Sequence, residues 1–337
     1  MSLGGKWPLR LTVGLLAGAG GLYALYKLTT LNRDREEGES RSGGDCESKK
    51  QNLLHRVSCL QVAGDSEGTV DTQQGGVLAK HPDGLEQQHL QVVLGLLQGT
   101  SDASTRELAL VTVGNSAAFT INQDLIRNLG GLNVIANCLL DEVMSIKVKA
   151  MNALNNLSMN VANQEKLKIW IPQILEILEA SMLNSELQVA GFRVLTNLSV
   201  TNNYHHMMTN SIPHFLKLLV EGTENVKVQV LKVLVNLSAN PDLTNDLLCA
   251  QAPSSFLLLF DSCVNKEVLL RMLMFVANLR ENLNLLQVSS QHEYEVESLH
   301  SLLFGNPTQF SHELATLMSH QDNEVKQQVA RIITKRA

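Results

Sequence analysis

Aromatic side chains are scarce in this 337-residue chain, making up 4% of it against 44% hydrophobic residues in all. A core of rings is thereby excluded, and the apolar mass is leucine, valine, isoleucine and alanine, which suits helices stacked on helices. Seven prolines and 22 glycines are too few for collagen-like or low-complexity chains. The five cysteines, Cys46, Cys59, Cys138, Cys249 and Cys263, are odd in number and lack CxxC spacing. They exclude a disulfide framework and read as reduced thiols of a cytosolic compartment, and no pair has zinc-ligand spacing. A basic surplus is missing as well: 27 Lys and Arg stand against 33 Asp and Glu. The net charge of −6 argues against nucleic acid as a partner, which needs a basic surface to displace counterions.

Catalytic patterns are also lacking. No HExxH, GxSxG, P-loop or paired-carboxylate motif is present, so no catalytic residue, metal or cofactor is expected. His205-His206, His292-Glu293 and His312-Glu313 are the best clusters, but each falls in an expected connector or exposed turn without a second ligand pair. They read as solvated or capping histidines. Cys138, Cys249 and Cys263 fall in apolar helical stretches, where cysteine behaves as a small buried hydrophobe.

One long apolar run exists. Residues 11–26, between Arg10 and Lys27, carry no charge, and as a helix they span about 24 Å against a hydrocarbon core of ~30 Å. Arg10 and Lys27 snorkelling outward, with Trp7, Tyr23 and Tyr26 at the interfaces, extend that reach. Residues 1–30 therefore read as a single transmembrane anchor for a thin membrane, built on Leu11, Leu15, Leu16, Leu22 and Leu25. Gly14 and Gly18 form a small-xxx-small pair through which two such helices could self-associate. The competing reading is a cleaved signal peptide, with Ala17-Gly18-Ala19 as its small residues. Lys27, Arg33 and Arg35 downstream, against Lys6 and Arg10 upstream, favour a cytosolic C-terminal side. The glycines from Gly18 nearly write a dinucleotide fingerprint, but no strand precedes them.

Residues 31–84 mix charge with Gly and Ser and have too little apolar mass to repay ordering, so they read as a disordered linker. Within them, Ser58 follows Arg56 in a small apolar island and is a candidate phosphorylation site for a basophilic kinase.

From residue 85 to 337 a repeat of about 41 residues takes over. Asn115, Asn156, Asn197, Asn236 and Asn278 recur at steps of 41, 41, 39 and 42, the middle three inside an Asn-Leu-Ser triplet. Ten, six and two residues before the last four lie apolar side chains: Ile146, Leu187, Val226 and Val268; Ala150, Gly191, Val230 and Met272; Leu154, Leu195, Leu234 and Val276. That spacing makes one face of a 3.6-residue helix. Another helix precedes each, starting near Gly131 in the first copy and opening with Pro172, Pro213 or Pro253 in the others, where a missing N–H costs nothing in the first turn. A short polar segment follows each asparagine, with Asn122-Gln123 and Asn163-Gln164 41 residues apart. Residues 85–98 supply an N-terminal cap, residues 283–306 look irregular, and residues 310–333 look like a polar terminal repeat, as solenoids require.

Short helix, helix, long helix at this period resembles the armadillo repeat, which implies an all-α, right-handed solenoid with the third helix of each repeat lining a concave groove. The apolar run, the linker and stretches such as GNSAAFTINQDLIRNLGG and KVQVLKVLVNLSANP together resemble the membrane-anchored Alex family of armadillo proteins. That resemblance implies residence on the mitochondrial outer membrane or endoplasmic reticulum and an influence on mitochondrial dynamics, distribution and cell growth. By the same likeness the partner groove is expected at Asn115, Asn156, Asn197, Asn236 and Asn278. Such a carboxamide either bonds the backbone of an extended protein partner or satisfies the neighbouring repeat; both readings stand open. One turn earlier, where import adaptors of this fold carry tryptophans, this chain has Val111, Asn152, Arg193, Lys232 and Met274. Arg193 and Lys232 suggest an acidic or phosphorylated partner segment. The functional expectation is a membrane-tethered scaffold; the alternative is a regulator that sequesters a signalling or transcription protein.

Overall fold

The computed structural model describes residues 82–286, 294–305 and 307–334. The expected anchor residues, residues 31–81 of the linker with Ser58, and His292-Glu293 lie outside these. The described chain runs α1 (Pro82–Gly99), α2 (Ala103–Ser116), α3 (Thr120–Asn128), α4 (Gly131–Asn137), α5 (Met144–Leu157), α6 (Val161–Leu167), α7 (Ile171–Ala180), α8 (Glu186–Leu198), α9 (Ile212–Glu221), α10 (Glu224–Ser238), α11 (Thr244–Cys249), α12 (Lys266–Leu286), α13 (Pro307–Leu317) and α14 (Asn323–Ile333). Strand structure among the described residues is limited to one isolated bridge between Gln251 and Ser298. None of these helices is long and apolar enough to cross a membrane.

The period seen in the sequence becomes a stack. The long helices α2, α5, α8, α10, α12 and α14 pack each on the next, and α1 covers the free side of α2 with buried Leu90, Val93, Leu94 and Leu97. All twelve apolar positions spaced ten, six and two residues before the asparagines are buried. Each fully buried leucine or valine contributes roughly 1.5–3 kcal/mol, and it does so against the adjacent repeat, so a repeat is stable only in company.

Local chemistry sets the boundaries. Asp102 accepts from the Thr105 N–H at 2.8 Å to open α2, and Ser185 accepts from the Gln188 N–H to open α8. Pro172 and Pro213 sit in the first turns of α7 and α9, as expected. Pro253 departs from that pattern, because it lies outside the helix it was expected to open, and residues Ser254–Phe260 form a 3₁₀ helix instead of an α-helix. Side chains three apart eclipse in that geometry, so Phe256 with Leu259 and Leu257 with Phe260 are buried while Leu258 faces out.

Three further expectations need correction. The N-terminal helix begins at Pro82, inside the stretch assigned to the linker. The segment expected to be irregular from residue 283 opens as helix, since α12 continues to Leu286 and buries Asn282 and Leu283; a π-helical turn follows at Ser301–Gly305. Of the three cysteines expected to be buried, Cys138 is: Cys249 ends α11 and Cys263 stands in the turn after the 3₁₀ helix, and both are exposed.

Candidate functional site

A helix ends with carbonyls that no later N–H of the same helix can reach. In α2 the Ala117 N–H bonds Val113 O and the Ala118 N–H bonds Asn115 O, which leaves Gly114 O over. The Asn156 Nδ2 of the next repeat donates to it at 2.8 Å. The same relation recurs along the row. Asn197 Nδ2 donates to Asn155 O at 2.9 Å and to Ser158 Oγ at 2.9 Å. Asn236 Nδ2 donates to Thr196 O at 3.3 Å and Ser199 Oγ at 3.0 Å, and Asn278 Nδ2 to Val235 O at 3.5 Å and Ser238 Oγ at 3.1 Å. Every rung reaches the carbonyl just before the previous asparagine, and the serine two places after an asparagine receives the next one.

The donor half of each carboxamide is thus engaged within the solenoid. The Oδ1 atoms differ: Asn278 Oδ1 accepts from Arg331 at 3.1 Å, whereas Asn197 Oδ1 and Asn236 Oδ1 meet no donor among the described residues. Asn115 is exposed at the head of the row.

A second set of buried polar residues completes the helix ends, and the sequence showed it only as a 41-residue echo. Gln123 Nε2 donates to Ala117 O at 2.9 Å, Asn163 Nδ2 to Leu157 O at 3.0 Å, and Gln164 Nε2 to Ser158 O at 2.8 Å. His205 occupies the equivalent place in the next repeat. It was expected in a solvated turn, yet it is buried, with Nε2 2.8 Å from Ser199 O and Nδ1 3.4 Å from Asn240 Nδ2. Burial holds its imidazole below the ordinary histidine value, and the bond to Ser199 O acts the other way. His206 and His312 are exposed, but His312 and Glu313 lie within α13, not in the connector or turn expected of them. No group of three His, Cys, Asp or Glu converges as a metal site among the described residues.

Arg193 and Lys232 hold the same place one repeat apart on the packed helices α8 and α10, and Arg271 stands on α12, which packs on α10; the charges of both arginines act on Lys232. Sequence reasoning missed Arg271 because it stands seven residues before its asparagine, not four; the 39-residue step from Lys232 was the available signal. Burial lowers the Lys232 ammonium below the usual lysine range; the Arg271 charge lowers it further, Glu267 opposes that, and Arg193 again lowers it. Lys232 Nζ donates to Gln229 Oε1 at 3.3 Å, and Arg271 pairs with Glu267 at 2.8 Å. Cations gathered on one half-buried face repel each other, and an anion placed among them relieves that cost.

The chain matches the Armadillo-like protein family over residues 85–304. Among solved structures, the designed armadillo repeat protein YIII(Dq)4CqI superposes with a TM-score of 0.59 at 17% identity, covering 72% of this chain and 98% of its own. A designed armadillo repeat protein in complex with the peptide (KR)4 gives 0.59 at 18% identity, again with 72% and 98% covered. Computationally designed armadillo repeat proteins for modular peptide recognition give 0.61 at 19% identity, with the same coverage. The fold is therefore the armadillo solenoid, and with its asparagine rungs joining one long helix to the next the chain belongs to the Armadillo-like family.

Proposed function

We propose that this protein is a non-enzymatic scaffold whose third-helix groove receives an extended, acidic or phosphorylated segment of a protein partner. The observation that carries this reading is the row Arg193, Lys232 and Arg271 beside Asn197 and Asn236. An extended strand offers N–H groups to Oδ1 of Asn197 and Asn236, while its carboxylates or phosphates take charge-assisted bonds from the cations. Because the Nδ2 atoms already serve the preceding repeat, the asparagines contribute acceptors only. The designed protein solved with (KR)4 holds a basic peptide; the row here is itself basic and calls for a peptide of the opposite charge.

We further propose that the scaffold is tethered by residues 1–30 to the cytosolic face of the mitochondrial outer membrane or endoplasmic reticulum, and acts on mitochondrial dynamics, distribution and cell growth. The uncharged run 11–26 supports the tether, and the Alex-family resemblance supports the role. The Asn-Leu-Ser sequons at Asn156, Asn197 and Asn236 support the cytosolic side: each Nδ2 is bonded to the preceding repeat, where a glycan would break the rung.

Double reversal, Arg193→Glu with Lys232→Glu, is expected to abolish capture of a phosphorylated or acidic partner segment without moving the thermal melt. Should the reversal disturb folding, Arg193→Gln with Lys232→Gln makes the same test with milder changes. Unchanged binding in a folded variant refutes the groove reading. Deleting residues 1–30 is expected to release the protein from its organelle; retention there refutes the tether.

A further inference from the structure

The long helices lie side by side, so their C-terminal ends, with the turns that follow, share one rim of the solenoid, and their N-terminal ends share the other. The two rims differ in charge. The first three turns of the first rim, residues 117–122, 158–163 and 199–204, contain no charged side chain, and the fourth carries Asp242. The opposite rim carries Glu142, Glu186, Glu221, Glu224 and Asp261, all exposed, against the exposed Lys266, and it too has exposed apolar side chains at Val143, Met144 and Met182.

Along the first rim the usual partition of polar and apolar side chains is inverted. Asn122, Gln123, Asn163, Gln164 and His205 turn inward onto helix-end carbonyls and are buried. Ile121, Val161 and Val200 point outward instead, at 61%, 67% and 62% exposure, with Phe119 and Met159 also exposed. The fourth turn offers only Ala239, Pro241 and Asp242. The apolar content is therefore greatest at the repeats nearest α1, the end at which the preceding 81 residues enter, and fades away from it.

We propose that this rim, at Ile121, Met159, Val161 and Val200, rests on a lipid bilayer at the boundary between headgroups and acyl chains. The inference builds on the membrane tether proposed above. The 81 residues that precede α1 join the solenoid at its first repeats, the end at which the rim is most apolar. The net acidic rim is repelled by anionic headgroups and the three uncharged turns nearest α1 are not, which sets the side that faces down. Aliphatic side chains at turn tips then leave water for the acyl boundary, as in other interfacial contacts.

The test uses the full chain with Trp7→Phe and Trp170→Phe, so that Val161→Trp or Ile121→Trp supplies the only tryptophan. It is reconstituted into phosphatidylcholine and phosphatidylserine vesicles with and without acyl-chain bromine. Both positions are expected to shift to the blue and lose at least half their emission to brominated lipid, while Met182→Trp on the acidic rim is unaffected. Vesicle flotation reports the tether separately. A chain that floats without quenching at 121 and 161 overturns the rim contact alone; one that does not float overturns the tether and the contact together. A blue shift that grows with protein concentration in the absence of lipid assigns the rim to a second copy and overturns the proposal. Should the tryptophan replacements unfold the chain, amide exchange of residues 119–121 and 159–161 in vesicles against detergent decides it, slower exchange being expected in vesicles and equal exchange overturning the contact.

Discussion

Asn197 binds three acceptors of the repeat before it, and its value lies in what its removal exposes. Asn197→Ala leaves Asn155 O with only the local Ser158 hydroxyl, and the expected cost is about 1–2 kcal/mol in chemical denaturation. Asn115→Ala, exposed at the head of the row, is expected to stay within about 0.5 kcal/mol of the parent in the same measurement. At Gly114 an added Cβ would lie 3.5 Å from Ala153, ordinary contact in a helix interior. Gly114→Ala should therefore stabilise by about 0.5–1 kcal/mol through restricted unfolded-chain freedom, read as a raised melting temperature.

His205 adds a pH dependence. Burial holds its folded value below that of an ordinary histidine, so on acidification the unfolded chain takes up the proton first. The stability of the neutral ring is thus complete above about 6.5 and is lost as pH falls below that value. His205→Gln, which installs the residue found at the equivalent positions 123 and 164, is expected to flatten the fall in melting temperature between about pH 7 and 5. The slope that remains belongs to His214, which burial shifts in the same direction. An unchanged slope would place the titration elsewhere.

Among the elements, the long helices show how an end is finished from outside. Their last carbonyls are met by the asparagine of the following repeat, by a serine in the same turn, and by Gln123, Asn163, Gln164 or His205 from the short helix that follows. Gln164→Met keeps the volume and strands Ser158 O in the interior, with an expected loss of about 1–3 kcal/mol and no change of fold by circular dichroism. The sequence displayed these residues as the echo Asn122-Gln123 and Asn163-Gln164 without showing that they point inward. Periodicity records spacing along the chain; a bond between residue 123 and a carbonyl six places back depends on a turn whose path spacing does not specify.

At the scale of the molecule, the repeats are joined in a line, and the last junction is made differently. Arg331 on α14 donates to Glu281 at 3.1 and 3.0 Å and to Asn278 Oδ1, closing the row with a cation where earlier rungs use an amide. In a linear array each unit depends on its neighbours, so an end repeat opens without the rest. Arg331→Ala is expected to speed amide exchange in α13 and α14 while α5 and α8 keep their protection; uniform loss would show a single cooperative block instead.

The 41-residue asparagine ladder and the apolar spacing before it determined the helical repeat, the face each long helix buries and the family to which the chain belongs, because a helix's buried stripe is written at every third or fourth residue. Tertiary structure decided the rest. It showed which half of each carboxamide is engaged, brought Arg271 to the cations already visible in the sequence, and buried His205 while leaving Cys249 and Cys263 outside. Those outcomes depend on how one repeat sits on the next, and the atoms that meet there are about 40 residues apart along the chain.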